Sequence, residues 1–208
     1  MPKEMMPLID KPIIQYVVEE LVGAGIKDII IVGSSNKRSI EDHFDTPNED
    51  LLANLRAGGA KKQHLIDELD QLSNLANFVY VRQKGPYGNA TPVLCAKNVI
   101  GDEPFVAIWG DEFIYSHPPR TLQCIEVFEK YGDPVISAVR VPKKDVSRYG
   151  IVDATKIENN IWQINEMIEK PTVDEAPSNL AAHGCYVLTP DIFEELERVK
   201  PGKSGEIW

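Results

Sequence analysis

Pro104-Phe105-Val106-Ala107-Ile108, continued by Trp109-Gly110-Asp111-Glu112, is the stretch that decides how this chain reads. Apolar residues follow one another there without alternation, the pattern of a strand covered on both faces, and such strands belong to sheets wrapped by helices. Open α/β sheets bind ligands outside the carboxyl ends of their strands, where Asp111 stands. A carboxylate at that place suits a hard cation such as Mg²⁺, which takes oxygen ligands and shares its shell with phosphates and water. Gly110-Asp111 reads equally well as a turn, since both residues favour turns for local reasons.

Working outward, apolar runs with strand character alternate with helical spacing. Ile13, Ile14, Val17, Val18, Leu21 and Val22 predict a helix over 12–24, opened by Pro12 and stopped at Gly23-Ala24-Gly25. Ile29-Ile30-Ile31-Val32 predicts a strand, after which Ser34 and Ser35 can cap a helix running to Phe44. The leucines between Asp50 and Leu75 predict a helical hairpin interrupted at Gly58-Gly59. A strand at 78–81, a helix at 90–98 with Pro92 in its first turn, the strand at 106–109 and a helix at 122–131 complete an alternation that predicts a mostly parallel sheet. Past residue 133 the pattern changes to short β-like segments at 134–141, 151–154, 161–169 and 185–188, then a helix at 191–199. These read as further strands of the sheet, less regularly wound.

Composition narrows the function classes. A chain of 208 residues can bury roughly 70% of its unfolded surface, so a core needs no covalent staples. No window holds the ~18 apolar residues of a membrane span, and no signal segment opens the chain, so a cytoplasmic protein is expected. Cys95, Cys124 and Cys185 are odd in number and lack a CxxC spacing, which predicts reduced, partly buried thiols. A net charge of -10 argues against nucleic acid as a partner, because phosphate backbones are held by clustered Lys and Arg. A small anionic ligand remains compatible, since it needs only one or two local cations.

Blocks spread over nearly the whole chain carry a family resemblance. They are residues 2–12 (PKEMMPLIDKP), 14–20 (IQYVVEE), 40–46 (IEDHFDT), 81–83 (VRQ), 93–96 (VLCA), 101–104 (GDEP), 149–153 (YGIVD), 169–171 (EKP) and 176–181 (APSNLA). In order and spacing they resemble bacterial UTP:glucose-1-phosphate uridylyltransferases, also called UDP-glucose pyrophosphorylases. Related thymidylyltransferases usually lack the helical insertion after the second strand and the His-Phe-Asp-Thr run, which favours the uridylyl branch. The resemblance implies a Rossmann-like α/β fold of the nucleotide-diphospho-sugar transferase type, a mixed and mostly parallel sheet flanked by helices. It also implies one domain over 1–208, with a nucleotide-binding half at 1–132 and a sugar-binding half at 133–208.

The chemistry that the resemblance implies is attack by a phosphate oxygen of glucose-1-phosphate on the α-phosphorus of UTP, giving UDP-glucose and pyrophosphate. Such transfers are catalysed mainly by positioning and charge neutralisation. Asp111 matches the family's metal-binding aspartate, Lys3 the lysine near the nucleotide phosphates, and Lys170 the lysine on the sugar phosphate. Glu169 matches the carboxylate that accepts from sugar hydroxyls. Gln83 and Gly88 match positions at the uracil; Glu4 matches a further substrate-binding position; Gly150, Asn179 and Gly184 match the lining of the sugar pocket. A homo-oligomer is compatible with the family. Competing expectations are a thymidylyltransferase, another sugar-1-phosphate nucleotidyltransferase, or a non-catalytic nucleotide-sugar binding module.

Departures from the family pattern carry expectations of their own. The family's opening strand and its loop Gly-x-Gly-Thr-Arg have no counterpart in these residues, and the sequence ends at Gly205-Glu206-Ile207-Trp208, where a second metal-binding segment would follow. Residues 88–92 (GNATP) replace a typical Gly-Leu-Gly-His-Ala at the base. The 208 residues alone are therefore expected to bind sugar through Glu169, Lys170 and Asn179, yet to release no pyrophosphate at a useful rate until a strand, a loop and the C-terminal segment are restored.

Overall fold

The computed structural model describes residues 1–85 and 88–200. The chain divides into two compact units, one of Met1–Glu103 with Thr189–Trp208 and one of Pro104–Leu188. The expected halves at 1–132 and 133–208 divide it by ligand; packing divides it at other places, and the strand before Asp111 falls in the second unit.

The first unit opens on a 3-10 turn, Lys3–Met5, followed by the short antiparallel hairpin of β1 (Pro7–Leu8) and β2 (Lys11–Pro12). α1 (Ile13–Gly23) buries Ile14, Val17, Val18 and Leu21, the stripe that its i, i+3, i+4, i+7 spacing dictates. The backbone leaves it at Gly25, whose φ of +90° suits a residue without a Cβ. β3 (Asp28–Gly33) pairs in parallel with β4 (Asn77–Arg82), from Asp28 opposite Asn77 to Gly33 opposite Arg82.

Between them lie α2 (Arg38–Phe44), α3 (Glu49–Ala57) and α4 (Gln63–Ser73). α2 begins later than the serines suggest, because the Ser34 hydroxyl donates to Asn36 Oδ1 at 2.6 Å instead of capping the helix. Asn48 does cap α3, accepting from the Leu51 amide at 2.9 Å. The expected hairpin forms, broken by a 3-10 turn at Gly59–Lys62, and Gly59 takes a φ of +63°. Neither α3 nor α4 buries a residue. Phe44 fixes α2 instead: it is 2% exposed and stacks on Phe78 with ring centroids 4.8 Å apart. α5 (Ala90–Ile100) completes this part and buries Ala90, Thr91 and Ala96.

The second unit contains β5 (Phe105–Ile108), α6 (Arg120–Tyr131), β6 (Val135–Arg140), β7 (Gly150–Glu158), β8 (Ile161–Glu169) and β9 (Leu180–Leu188). Its sheet runs β5-β9-β7-β8, with β6 also paired to β9, and every pairing in it is antiparallel. The fold is thus mixed α/β. Parallel pairing occurs at β3–β4, where long helical crossovers permit it, whereas the short β7–β8 link enforces a hairpin.

β7 and β9 are each longer than the four-residue segments expected from apolar content, because their polar ends still complete ladders. β5 corrects the opening expectation. All four of its residues are half-buried rather than covered on both faces, and among the described residues it pairs only with β9. Val106 and Ile108 pack on the buried cluster of Cys124, Cys185 and Val187, together with Ile125 and Phe128 of α6. A second cluster, Val146, Ile151 and Ala181, fills the space under β7. The chain then returns to the first unit with α7 (Ile192–Arg198), whose Glu197 meets Lys97 of α5 at 2.5 Å.

All three cysteines are free thiols, Cys124 and Cys185 buried and Cys95 half-buried. Among the described residues no helix is long and apolar enough to cross a membrane.

Candidate active site

In the second unit one sheet carries most of the sequence-predicted sugar residues. Trp109 N donates to Gly184 O at 3.1 Å, extending the β5–β9 ladder by one step past Ile108 opposite Cys185. The chain then turns, Glu112 N donating to Trp109 O at 3.1 Å, and Asp111 sits half-buried inside that turn. Gly184 is buried with a φ of +31°, and a Cβ there would collide with the Glu112 carboxylate and stand 2.9 Å from Trp109 Cδ1. The glycine therefore makes room for the turn that carries Asp111.

Two strands further on, Ile151 of β7 lies opposite Ala181 of β9, and Gly150 lies opposite Glu169 of β8. A Cβ on Gly150 would come 3.0 Å from Glu169 Oε2, so its absence leaves the carboxylate its place. Lys170 follows in the left-handed region, φ +48°, a conformation that costs a non-glycine residue energy and persists where the surroundings enforce it. Lys170 N donates to Tyr149 O at 3.0 Å, which fixes that bend. Both side chains are exposed, with Lys170 Nζ 3.5 Å from Glu169 Oε1. A carboxylate able to accept from two hydroxyls and an ammonium able to meet a phosphate thus stand side by side.

Asn179 stands apart from this pair. Its Oδ1 accepts from Arg140 Nη1 at 3.0 Å and its Nδ2 donates to Val141 O at 3.1 Å, so the amide fastens the start of β9 to the end of β6.

Sequence reasoning missed Arg120, for which no periodicity gives a signal. It is 5% exposed at the start of α6, donating from Nη2 to Glu112 O at 3.4 Å and from Nη1 to His183 Nδ1 at 3.1 Å. Arginine has no acceptor, so in this contact Nδ1 is the accepting atom. Nearby, burial and the charge of Glu112 push the Tyr186 phenol above its usual range, so it stays protonated.

The first unit holds the remaining predicted residues. Lys3 is exposed at the start of the 3-10 turn, while Glu4 beside it is 5% exposed, its Oε1 2.5 Å from Lys37 Nζ. Gln83 follows β4, its backbone N–H donating to Gly33 O at 2.7 Å. The next residue is clasped by Cys95, whose thiol is 3.5 Å from both Lys84 N and Lys84 O. Gly85 and Gly88 take φ of +113° and +125°, conformations that suit a residue without a Cβ. Pro86 and Tyr87 lie outside the described residues.

Among the described residues no three His, Cys, Asp or Glu side chains gather as a metal cage. Asp111 offers one half-buried carboxylate, which is compatible with Mg²⁺, a cation commonly held by one or two carboxylates with the rest of its shell from phosphate and water.

A nucleotidyl transferase family model matches residues 1–207. The UTP--glucose-1-phosphate uridylyltransferase YngB of Bacillus subtilis is 45% identical over 206 residues, 99% of this chain and 68% of its own length. The solved apo UDP-glucose pyrophosphorylase superposes with a TM-score of 0.89 at 40% identity, covering 100% of this chain and 76% of that one. A UDP-glucose pyrophosphorylase solved with UDP-glucose gives a TM-score of 0.87 at 39% identity, over 100% of this chain and 75% of its own. With the family model matched over nearly its whole length and a curated relative 45% identical over 99% of it, the chain belongs to the nucleotidyl transferase family.

Proposed function

We propose that this chain carries the site of a UTP:glucose-1-phosphate uridylyltransferase. A phosphate oxygen of glucose-1-phosphate forms a bond to the α-phosphorus of UTP, the bond from that phosphorus to the bridging oxygen breaks, and pyrophosphate leaves with the electron pair. Asp111 would hold a Mg²⁺, which would supply charge neutralisation on the phosphates. In the second unit Glu169 accepts from sugar hydroxyls and Lys170 meets the sugar phosphate, with Gly150 and Gly184 keeping the space open and Asn179 holding the strand ends. In the first unit Lys3 serves the nucleotide phosphates, and Gln83 and Gly88 the base, where an amide and a bare backbone can meet the uracil edge. Three free thiols suit a reducing compartment, the cytoplasm.

The observation that carries this reading is the exposed Glu169-Lys170 pair at a strained bend beside a glycine, in the same sheet as the Asp111 turn. The thymidylyl alternative is not favoured, since curated relatives 45% and 46% identical to this chain are named for uridylyl transfer to glucose-1-phosphate. Calorimetric titration tests the proposal without requiring turnover. UDP-glucose is expected to bind in the presence of Mg²⁺ and to be displaced by glucose-1-phosphate together with UTP. Equal affinity for the thymidine diphosphate sugar, or no binding of UDP-glucose, overturns it.

A further inference from the structure

A lysine is an odd residue with which to begin a helix. Lys37 holds the N-cap position of α2, makes no capping bond, and places a cation where the helix dipole repels it. Its ammonium reaches across 33 residues of sequence to Glu4 Oε1, 2.5 Å away. Glu4 has a side chain only 7% exposed, and its second oxygen, Oε2, is buried with no hydrogen-bond partner. A buried carboxylate half-satisfied in this way costs free energy unless the charge it faces stays in place.

The backbone of Lys37 is itself held, its amide donating to Ser34 O at 3.0 Å and its carbonyl accepting from Ile40 N at 3.0 Å. The 3-10 turn at the other end of the ion pair is closed by Met5 N to Pro2 O and Met6 N to Lys3 O, each 3.1 Å. Lys3 stands one residue before Glu4, so whatever fixes the Glu4 carboxylate also fixes the backbone from which Lys3 projects.

We propose that Lys37 is a positioning residue for the nucleotide phosphates: by holding the buried Glu4 carboxylate it fixes the turn that presents Lys3. This assigns Glu4 to the scaffold of the site rather than to contact with substrate, and it rests on the reading of Lys3 given under Proposed function.

The test compares the full chain with its Lys37→Met, Lys37→Arg and Glu4→Gln/Lys37→Met variants. Amide hydrogen exchange is followed at Met5 and Met6 and at Ile30 and Ile31 of β3; affinities for UTP and for glucose-1-phosphate are measured by calorimetry. In Lys37→Met, exchange at Met5 and Met6 should rise about tenfold while β3 keeps its protection. UTP affinity should fall about tenfold or more, as misplacing a positioned group by about an ångström can do, with glucose-1-phosphate affinity unchanged. Lys37→Arg should recover both readouts in large part. The double variant removes the buried charge, and so gives a folded protein if Lys37→Met alone does not fold; it should still bind UTP weakly.

Unchanged exchange at Met5 and Met6, loss of protection spread evenly over β3, or UTP affinity restored in the double variant would each overturn the proposal. Should the unsubstituted chain bind no UTP, the functional reading fails by itself, and the exchange at Met5 and Met6 still decides whether Lys37 holds the turn.

Discussion

The amide of Trp109 donates to the carbonyl of Gly184 at 3.1 Å, and that bond helps fasten the turn bearing Asp111 to the middle of β9. Because β9 also pairs with β6 and β7, a displacement of Gly184 reaches the carboxylate through a ladder rather than a loop. Gly184 is thus a residue whose substitution should disturb packing and the Asp111 turn together.

Gly184→Ala places a methyl group against the Glu112 carboxylate and Trp109 Cδ1, at a φ of +31° that side chains rarely adopt. Strain of this kind costs about 1–3 kcal/mol. Urea unfolding should show a loss of that size, and Mg²⁺-dependent UTP affinity should fall with it. Full stability in Gly184→Ala would mean that the turn yields easily and that the glycine has no such role.

Asp111→Asn is nearly isosteric and removes only the charge that a hard cation needs. We expect the thermal midpoint to stay within a few degrees, while the enhancement of UTP affinity by Mg²⁺ disappears and any turnover drops by orders of magnitude. A variant that keeps its Mg²⁺ response would remove Asp111 from the metal site.

Much of this was legible in the sequence, and the reasons differ between residues. The stripe Ile14, Val17, Val18 and Leu21 fixes α1 because helical spacing leaves one face to bury. Ser34 misled, since a local bond to Asn36 competes with capping, and nothing in composition tells which wins. β5 looked fully covered from its apolar run, whereas cover depends on which strands pair with it. Asp111 was singled out by its place after an apolar run, Glu169 and Lys170 by family likeness alone. Arg120 and Lys37 were missed: each owes its place to partners distant in sequence, Glu112 and His183 for the first, Glu4 for the second.

The two neighbours at the β8 end should separate cleanly. Lys170→Ala removes a point charge from the phosphate and should weaken glucose-1-phosphate by roughly tenfold or more, in line with about 1.5–3 kcal/mol for a charged hydrogen bond. Glu169→Gln keeps the volume but loses an acceptor, so selectivity among hexose-1-phosphates should relax. Gly150→Ala should act like Glu169→Gln, because its methyl group would press on Glu169 Oε2 from 3.0 Å. Competition titrations with glucose-, galactose- and mannose-1-phosphate read all three; unchanged selectivity in the Glu169 and Gly150 variants would sink the hydroxyl-recognition role.

His43 gives a prediction about acid stability that is independent of the site. It packs edge-on to Phe44 with centroids 4.8 Å apart, and its Nε2 lies 3.1 Å from Gln15 Oε1. Gln15 donates to Glu19 through its own nitrogen, so its oxygen faces His43 and can only accept. Burial lowers the His43 pKa, because the charged ring loses more hydration than the neutral one. Below the ordinary histidine value of about 6.5 the unfolded chain therefore takes up a proton that the folded chain still refuses. Stability contributed by the neutral ring is complete above that value and is lost as pH falls toward the lower native pKa. Urea midpoints measured from pH 7.5 down to 5 should decline, and His43→Gln, which keeps a donor toward Gln15 but cannot take a charge, should show a shallower decline. Equal slopes for the two proteins would show that carboxylates elsewhere, and not His43, set the acid limb.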